Sequence, residues 1–343
     1  MKNKMINYPK TGQFNDIVRH VSHKATFIGL DANGDALYDD TREKPTLVFE
    51  GTVKLHGTNA AVCYNGTDMW VQSRNNVIDS LTGHMGFAEF VHTNKEYFLE
   101  VFKTNHIEGS VTTVYGEWAG PGIQNGVAIS EIPQKMFFVF GVKITPPETD
   151  PVEPSYWIPY YEIASGNSRV WDLRQMQTYQ IAIDFNRPQL ATPELAKITE
   201  AVEAECPIAK LFGVSGVGEG VVWTAYYGVE RLLFKVKGEK HSSSKVKTLA
   251  QADPEKMQSI YDFVDYAATV NRVDQAMKEV GFVVGTTLTK SNTPDVLRWI
   301  ANDIITEESE ILKASNIEWK DVAKEVSDRA RRIFFEKLDN LTV

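Results

Sequence analysis

Between Thr46 and Lys237 the chain is cut into short strand-like runs: "TLVFEGTVKL", "NAAVCY", "DMWVQS", "SVTTVYGEWA", "KMFFVFGVKI", "GVVWTAYY" and "VERLLFKVKG". Turn residues separate them, and β-branched and aromatic side chains fill them. A strand leaves backbone donors and acceptors open until a neighbour pairs with it, so runs of this kind force sheets. Helical stretches intervene only near Met85 to Phe102 and Thr192 to Glu205. Strand runs with occasional helices predict an antiparallel α+β domain, not a doubly wound parallel sheet. Within it, "FEGTVKLHGTNAAVCYNG" reads as two strands folded about a His56-Gly57 turn, with Lys54 where the first strand ends.

The flanks read differently. Ile17, Val18 and Val21 give Asn15 to Val21 the apolar spacing of a short helix, and "FIGLDANGDALY" is a hairpin about Asn33-Gly34. "DANGD" resembles a calcium loop but lacks the ligand spacing and terminal glutamate, so the turn reading holds. Thr192 followed by Pro193 reads as an N-cap and first helical position, as do Asp253-Pro254 and Thr293-Pro294. Apolar stripes follow at Met257, Ile260, Val264 and Ala267, at Val296, Ile300 and Ile304, and at Trp319, Val322, Val326 and Ile333. A domain of residues 1–243 is therefore expected to precede a small all-helical domain of 244–343, with Ser242 to Ser244 as a linker.

Composition narrows the class. The chain is 43% hydrophobic and 24% charged, as ordinary globular proteins are. No run approaches the roughly 18 apolar residues of a membrane span. The first residues lack a signal peptide's apolar core, so the expected location is the cytoplasm, with no membrane partner. Cys63 and Cys206 make neither a disulfide framework nor a zinc site and read as reduced thiols. A net charge of −9 argues mildly against a nucleic-acid partner. Yet Arg231, Lys235, Lys237, Lys240, Lys245 and Lys247 crowd one segment, while the excess acid sits on helices such as "ELAKITEAVEAE". A local phosphate site is compatible with that balance.

Five patches carry the chemistry, each beside a plainer reading. Lys54, at a tight turn with small neighbours, is a nucleophile if desolvation or nearby cations depress its pKa, though such turns also arise by chance. Arg74 offers a fork for phosphate or ribose, or is surface decoration. Glu117, between Gly116 and the Trp118-Ala119-Gly120-Pro121-Gly122 turn, is an acceptor for ribose hydroxyls or a solvated acid. An aromatic of "FFVFGV" stacks on a base or fills the core. Glu219, set between glycines, suits a hydrated divalent cation. Lys235 and Lys237 alternate with Phe234 and Val236 and share one strand face, an expensive arrangement unless an anion lies between them.

Taken in order, Lys54-Leu55-His56-Gly57-Thr58-Asn59, strand-end Arg74, Gly116-Glu117-Trp118-Ala119-Gly120-Pro121-Gly122-Ile123-Gln124, Phe137-Phe138-Val139-Phe140, Glu219-Gly220 and Lys235-Val236-Lys237 resemble the covalent nucleotidyltransferases. More narrowly they resemble the RNA ligase 2 family, the phage-type double-strand RNA ligases related to kinetoplastid editing ligases. DNA ligases and capping enzymes usually carry aspartate where His56 stands. The resemblance spans roughly Thr46 to Lys247 and continues weakly into "TVNRVDQAMKEVG".

This resemblance implies an ATP-grasp-like ligase domain followed by a helical one that engages RNA ends. It implies that Lys54 attacks the α-phosphate of ATP to form lysyl-AMP, with His56 and Asn59 serving the adenylate and the sealing steps. It further implies that Arg74 contacts the nucleotide, Glu117 grips the ribose and Phe140 stacks on adenine. Glu219 would organise Mg²⁺ or Mn²⁺, and Lys235 and Lys237 would bind the AMP phosphate. The expected partner is RNA with 3′-OH and 5′-phosphate ends, at nicks in a duplex, acted on by a monomer. The alternatives are a DNA ligase or capping-type transferase on the same scaffold, and a nucleic-acid-binding protein without catalysis. Gly141, where the family often has an acid, and Thr224, where it often has a lysine, depart from the pattern.

Overall fold

The chain opens with α1 (Phe14–Thr26), the hairpin strands β1 (Phe27–Leu30) and β2 (Ala36–Tyr38), and the long strand β3 (Thr46–Lys54). β4 (Thr58–Tyr64), β5 (Met69–Ser73), α2 (Phe87–Thr93) and α3 (Lys95–Asn105) follow. Next come β6 (Val111–Ala119), β7 (Met136–Thr145), β8 (Tyr156–Ile158) and β9 (Val170–Asp172). Then β10 (Thr178–Asp184), α4 (Thr192–Ala204) and α5 (Pro207–Leu211) lead into β11 (Gly220–Tyr227) and β12 (Glu230–Lys237). The last part is helical: α6 (Ile260–Ala267), α7 (Val270–Val284), α8 (Thr293–Glu307), α9 (Ser309–Ala314) and α10 (Trp319–Leu341). This computed structural model describes residues 4–147, 154–238, 260–284, 288–314 and 317–341. The expected 243/244 boundary, Ser242 to Ser244, Lys240, Lys245, Lys247, Asp253-Pro254 and Met257 lie outside them.

Two compact units divide the chain. The first comprises Met1–Thr11, Gly51–Tyr179 and Ala204–Gly218, and the second Gly12–Glu50, Gln180–Glu203 and Glu219–Val343. The first is built on a sheet of order β5-β4-β6-β7-β8, with β9 also pairing with β7. Its pairs are antiparallel as expected except β7 with β9, which is parallel. One face of this sheet is dry: Ala60, Val62, Val114, Trp118, Phe137 and Val139 pack with Phe87, Phe90, Phe98 and Phe102 of α2 and α3. Alternation sends Ala61, Cys63 and Tyr115 to the other face, where they pack with Ile6 and Trp70.

The second unit holds a sheet of order β10-β3-β11-β12. Phe234 of β12 is fully buried, with ring centroids of Phe14 and Phe49 each 5.2 Å away. α1 runs longer than its apolar spacing predicts, and it buries Phe14, Ile17 and Val21. At its start the Asp16 carboxylate accepts the Gln13 backbone N–H at 2.8 Å, which satisfies an orphan donor. The hairpin forms as read, with the Asp31 carboxylate accepting the Asn33 and Asp35 backbone N–H groups at 2.8 and 2.9 Å.

The β3–β4 hairpin about His56-Gly57 does not form. β3 pairs in one sheet and β4 in the other, so Lys54 to Gly57 is a crossing between sheets. The helix starts also shift. Thr192 and Thr293 are themselves helical, because short 3-10 turns, Pro188–Ala191 and Lys290–Asn292, take up the chain just before them.

In the helical region the stripes meet in one core that includes Phe263, Val264, Ala267, Val296, Ile300, Ile304, Val322, Val326 and Phe334, but Ile260, predicted on the first stripe, is exposed. Arg272, fully buried, crosses it. Its guanidinium donates to Asp303 Oδ2 at 2.9 Å and Glu308 Oε1 at 2.6 Å, and the Tyr266 hydroxyl donates to Glu308 Oε2 at 3.1 Å. Breaking such a pair strands the remaining charge in a low dielectric. Arg272→Ala should therefore destabilise the helical region by about 3–5 kcal/mol. Urea unfolding followed by tryptophan fluorescence checks this.

Candidate active site

The first unit holds the first four patches, and its sheet face opposite α2 and α3 carries Asn59, Glu117 and Phe140, with Arg74 beside them over Tyr8. Asn59 and Glu117 are register partners of β4 and β6, and alternation places both on the face of Ala61 and Tyr115. The Gly57 backbone N–H donates to Glu117 Oε1 at 3.0 Å, joining the lysine-bearing turn to the acid. A Cβ at Gly57 would lie 2.4 Å from the Trp118 carbonyl oxygen and 2.9 Å from Ala119 Cβ, so only glycine fits. Lys54 ends β3 half-buried, three residues before that contact. Asn59 Oδ1 is buried with no hydrogen-bond partner among the described residues, an amide oxygen left for something else.

Phe140 owes its direction to a bulge. Tyr115 pairs with Gly141 and Gly116 with Val139, so Phe140 is the extra residue on β7. A bulge re-aims a side chain beside the ladder, and Phe140 stays half-buried. Tyr8 packs edge-on against it, centroids 5.2 Å apart, and the Arg74 guanidinium lies 5.7 Å from the Tyr8 centroid. The segment bearing Tyr8 is fastened down: Ile6 N–H donates to Gln72 Oε1 at 3.0 Å, and its carbonyl accepts from Tyr115 Oη at 2.6 Å. Arg74 and Phe140 thus meet through a residue that the sequence reading left without a role.

His84 is a second residue that reading missed. It and Met85 are the only non-glycine residues at positive φ among the described ones, +54° and +57°. That conformation is strained, and it is held by Trp118 Nε1 and Lys135 Nζ donating to the Met85 carbonyl at 3.3 and 2.9 Å. His84 Nε2 lies 2.9 Å from the Asn59 carbonyl oxygen, to which it donates. Burial holds the imidazole below the usual histidine range, and the Asn59 bond only partly opposes this.

The second unit holds the fifth patch. Gly220 pairs with Lys237, and a Cβ there would come within 2.1 Å of the Val236 carbonyl oxygen, so glycine sets the close approach of β11 to β12. Glu219, 2% exposed, lies with Oε1 3.3 Å from Lys237 Nζ. Burial alone would lower the Lys237 pKa; Glu219, then Glu307 and Asp303, outweigh it and raise it, so the ammonium stays charged. Lys235 Nζ lies 2.7 Å from Glu307 Oε1.

Among the described residues no group of three or more His, Cys, Asp or Glu side chains is placed to hold a metal ion. Glu219 supplies one carboxylate. Mg²⁺-like ions are often held by one or two carboxylates with waters and substrate phosphates, so the site fits an ion arriving with a nucleotide. Cys63 and Cys206 are free and buried, with the Cys63 thiol pushed up to about 12 by burial. No helix among the described residues is long and apolar enough to cross a membrane.

The RNA ligase family model matches residues 48–237, more than half of the chain. A Naegleria gruberi RNA ligase mutant with AMP and Mn is similar at TM-score 0.43 and 14% identity, covering 68% of this chain and 56% of that one. The Naegleria gruberi ligase with PPi is similar at 0.41 and 13%, with the same coverage. An apo mutant of it is similar at 0.41 and 13%, covering 71% and 57%. This chain spans a little over half the length of those solved structures. No curated protein matches.

Gly57→Ala should cost about 1–3 kcal/mol through forced backbone movement, whereas Gly12→Ala, whose nearest atoms lie at 3.5 Å, should cost far less. Thermal unfolding of the two variants makes the comparison. For His84, whose native pKa is depressed, the unfolded chain binds the proton more readily, so stability falls as pH drops below about 6.5. His84→Gln should flatten that slope in a series of unfolding curves between about pH 7 and 5.

Proposed function

The chain belongs to the RNA ligase family, and from that premise we propose that it is an ATP-dependent RNA ligase that seals 3′-OH and 5′-phosphate ends, at nicks in duplex RNA. The observation that carries this reading is the Gly57 N–H bond to Glu117, which sets the turn after Lys54 against the acid proposed to hold the ribose. Phe140, re-aimed by its bulge, is the surface for adenine, with Arg74 beside it. His56 and Asn59 favour the RNA ligase 2 branch over DNA ligases and capping enzymes, and the helical character of the described residues from Ile260 onward agrees.

In the first step the Lys54 amine, once neutral, attacks the α-phosphorus of ATP. The N–P bond forms, the bond to the bridging oxygen breaks, and pyrophosphate leaves with its electrons; the amine proton goes to solvent. AMP then passes to a 5′-phosphate end, and a 3′-OH displaces it to close the strand. Each step is a displacement at phosphorus, so positioning and neutralisation of charge govern the rate. Lys235 and Lys237 would neutralise phosphate oxygens, and Asn59 would turn its open amide oxygen to the adenylate or the RNA end. Glu219 would hold Mg²⁺ or Mn²⁺, which when bound withdraws charge from the phosphate oxygens. Residues 1–243 carry the adenylyl transfer in this reading, and 244–343 engage the RNA end through shape, phosphate and 2′-OH contacts. The protein acts as a monomer in the cytoplasm.

Incubation with α-labelled ATP and a divalent metal should leave a label on the denatured protein that Lys54→Ala abolishes. Sealing should run faster on nicked duplex RNA than on single-stranded RNA or an all-DNA nick. No label with any divalent metal contradicts the covalent reading, and preference for the DNA nick contradicts the RNA assignment.

A further inference from the structure

Two ammonium groups on one strand face repel, so each needs an anion nearby. In this fold the protein supplies both anions. Lys237 has Glu219, from the neighbouring strand end. Lys235 has Glu307, which comes from a helix far along the chain: Oε1 lies 2.7 Å from Lys235 Nζ, and Oε2 accepts Gln13 Nε2 at 2.8 Å. Both side chains of this ion pair are largely covered, at 12% and 16% exposure, so solvent screens it less than a surface pair.

The placement of Glu307 runs against local preference. It is the last residue of α8, where the helix dipole disfavours negative charge, and Glu308 follows directly. Each acid is held there by a cation from elsewhere, Glu308 by Arg272 and Glu307 by Lys235. Asp303, one turn earlier, pairs with Arg272 and also helps keep Lys237 charged. The end of α8 therefore presents a built acidic face to the lysine pair.

We propose that Glu307 is an internal competitor for the anion site of β12: its carboxylate holds Lys235 in place of a nucleotide phosphate, and nucleotide binding releases it. This rests on reading Lys235 and Lys237 as phosphate-binding lysines. A phosphate oxygen placed on Lys235 Nζ would lie against the Glu307 carboxylate, and like charges at that range repel. Glu307 therefore has to leave as the phosphate arrives. Glu219, almost fully buried, has no such freedom. Release of Glu307 would free the end of α8 from β12, so the helical region would respond to the occupant of the lysine pair.

The test is calorimetric titration of the full chain with ATP, wild type against Glu307→Gln, run beside the labelling reaction. Glutamine keeps the length and the oxygen that Gln13 reaches but removes the competing charge. Glu307→Gln should bind ATP about fivefold to tenfold more tightly and reach half-maximal labelling at correspondingly lower ATP. Glu307→Asp, which keeps the charge on a shorter stem, should fall between the two and serves if the glutamine variant does not fold. Unchanged or weaker ATP binding with labelling intact overturns the competitor and leaves the ligase reading standing. Tighter binding without label supports the competitor while removing the ligase reading, and neither binding nor label overturns both.

Discussion

The hydrogen bond from the Gly57 amide to Glu117 is the contact on which the first unit's candidate site depends. It ties the Gly57 turn to β6, the middle strand of the first unit's β4-β6-β7 run, across sixty positions of sequence. Three consequences follow from that one contact. Position 57 must be glycine, because Trp118 and Ala119 occupy the space of a side chain. Glu117 has one oxygen engaged at a defined point above the sheet. Lys54, with only two residues between it and Gly57, is kept on a short tether to Glu117.

Charge organises the second unit as closely as packing does. Glu219 and Lys237 lie in a place where either alone would be costly, and the same holds for Arg272 with Asp303 and Glu308. Such pairs contribute little net stability compared with apolar replacements, but each penalises any arrangement that separates its members. The Lys235–Glu307 pair differs in using a carboxylate where, in the proposed reading, a phosphate fits.

Much of this was legible in the sequence, for identifiable reasons. Runs rich in β-branched and aromatic residues, bounded by turn residues, marked β4, β6, β7, β11 and β12, and the described helical stripes met in one core except at exposed Ile260. The tight turn at His56-Gly57 was recognised, but a turn signal does not say whether its two strands pair with each other. The fact that decides it, the approach of Trp118, is a contact between distant residues. β8 and β9, three residues each, are too short for any period to show. Tyr8 and His84 escaped because nothing local distinguishes them; one matters through Phe140 and Arg74, the other through the Asn59 carbonyl. The lysine pair was read correctly as needing an anion, but the supplier of one, Glu307, lies 72 positions beyond Lys235.

In the proposed reaction Lys54, three positions before Gly57, is the residue that becomes covalently adenylylated. Peptide mass mapping after incubation with ATP and a divalent metal, under conditions that preserve phosphoramidates, reads this directly. The expected result is the added mass of one AMP on the peptide containing Lys54 and on no other lysine. An adduct on Lys235, Lys237 or any other residue, with Lys54 unmodified, would contradict it.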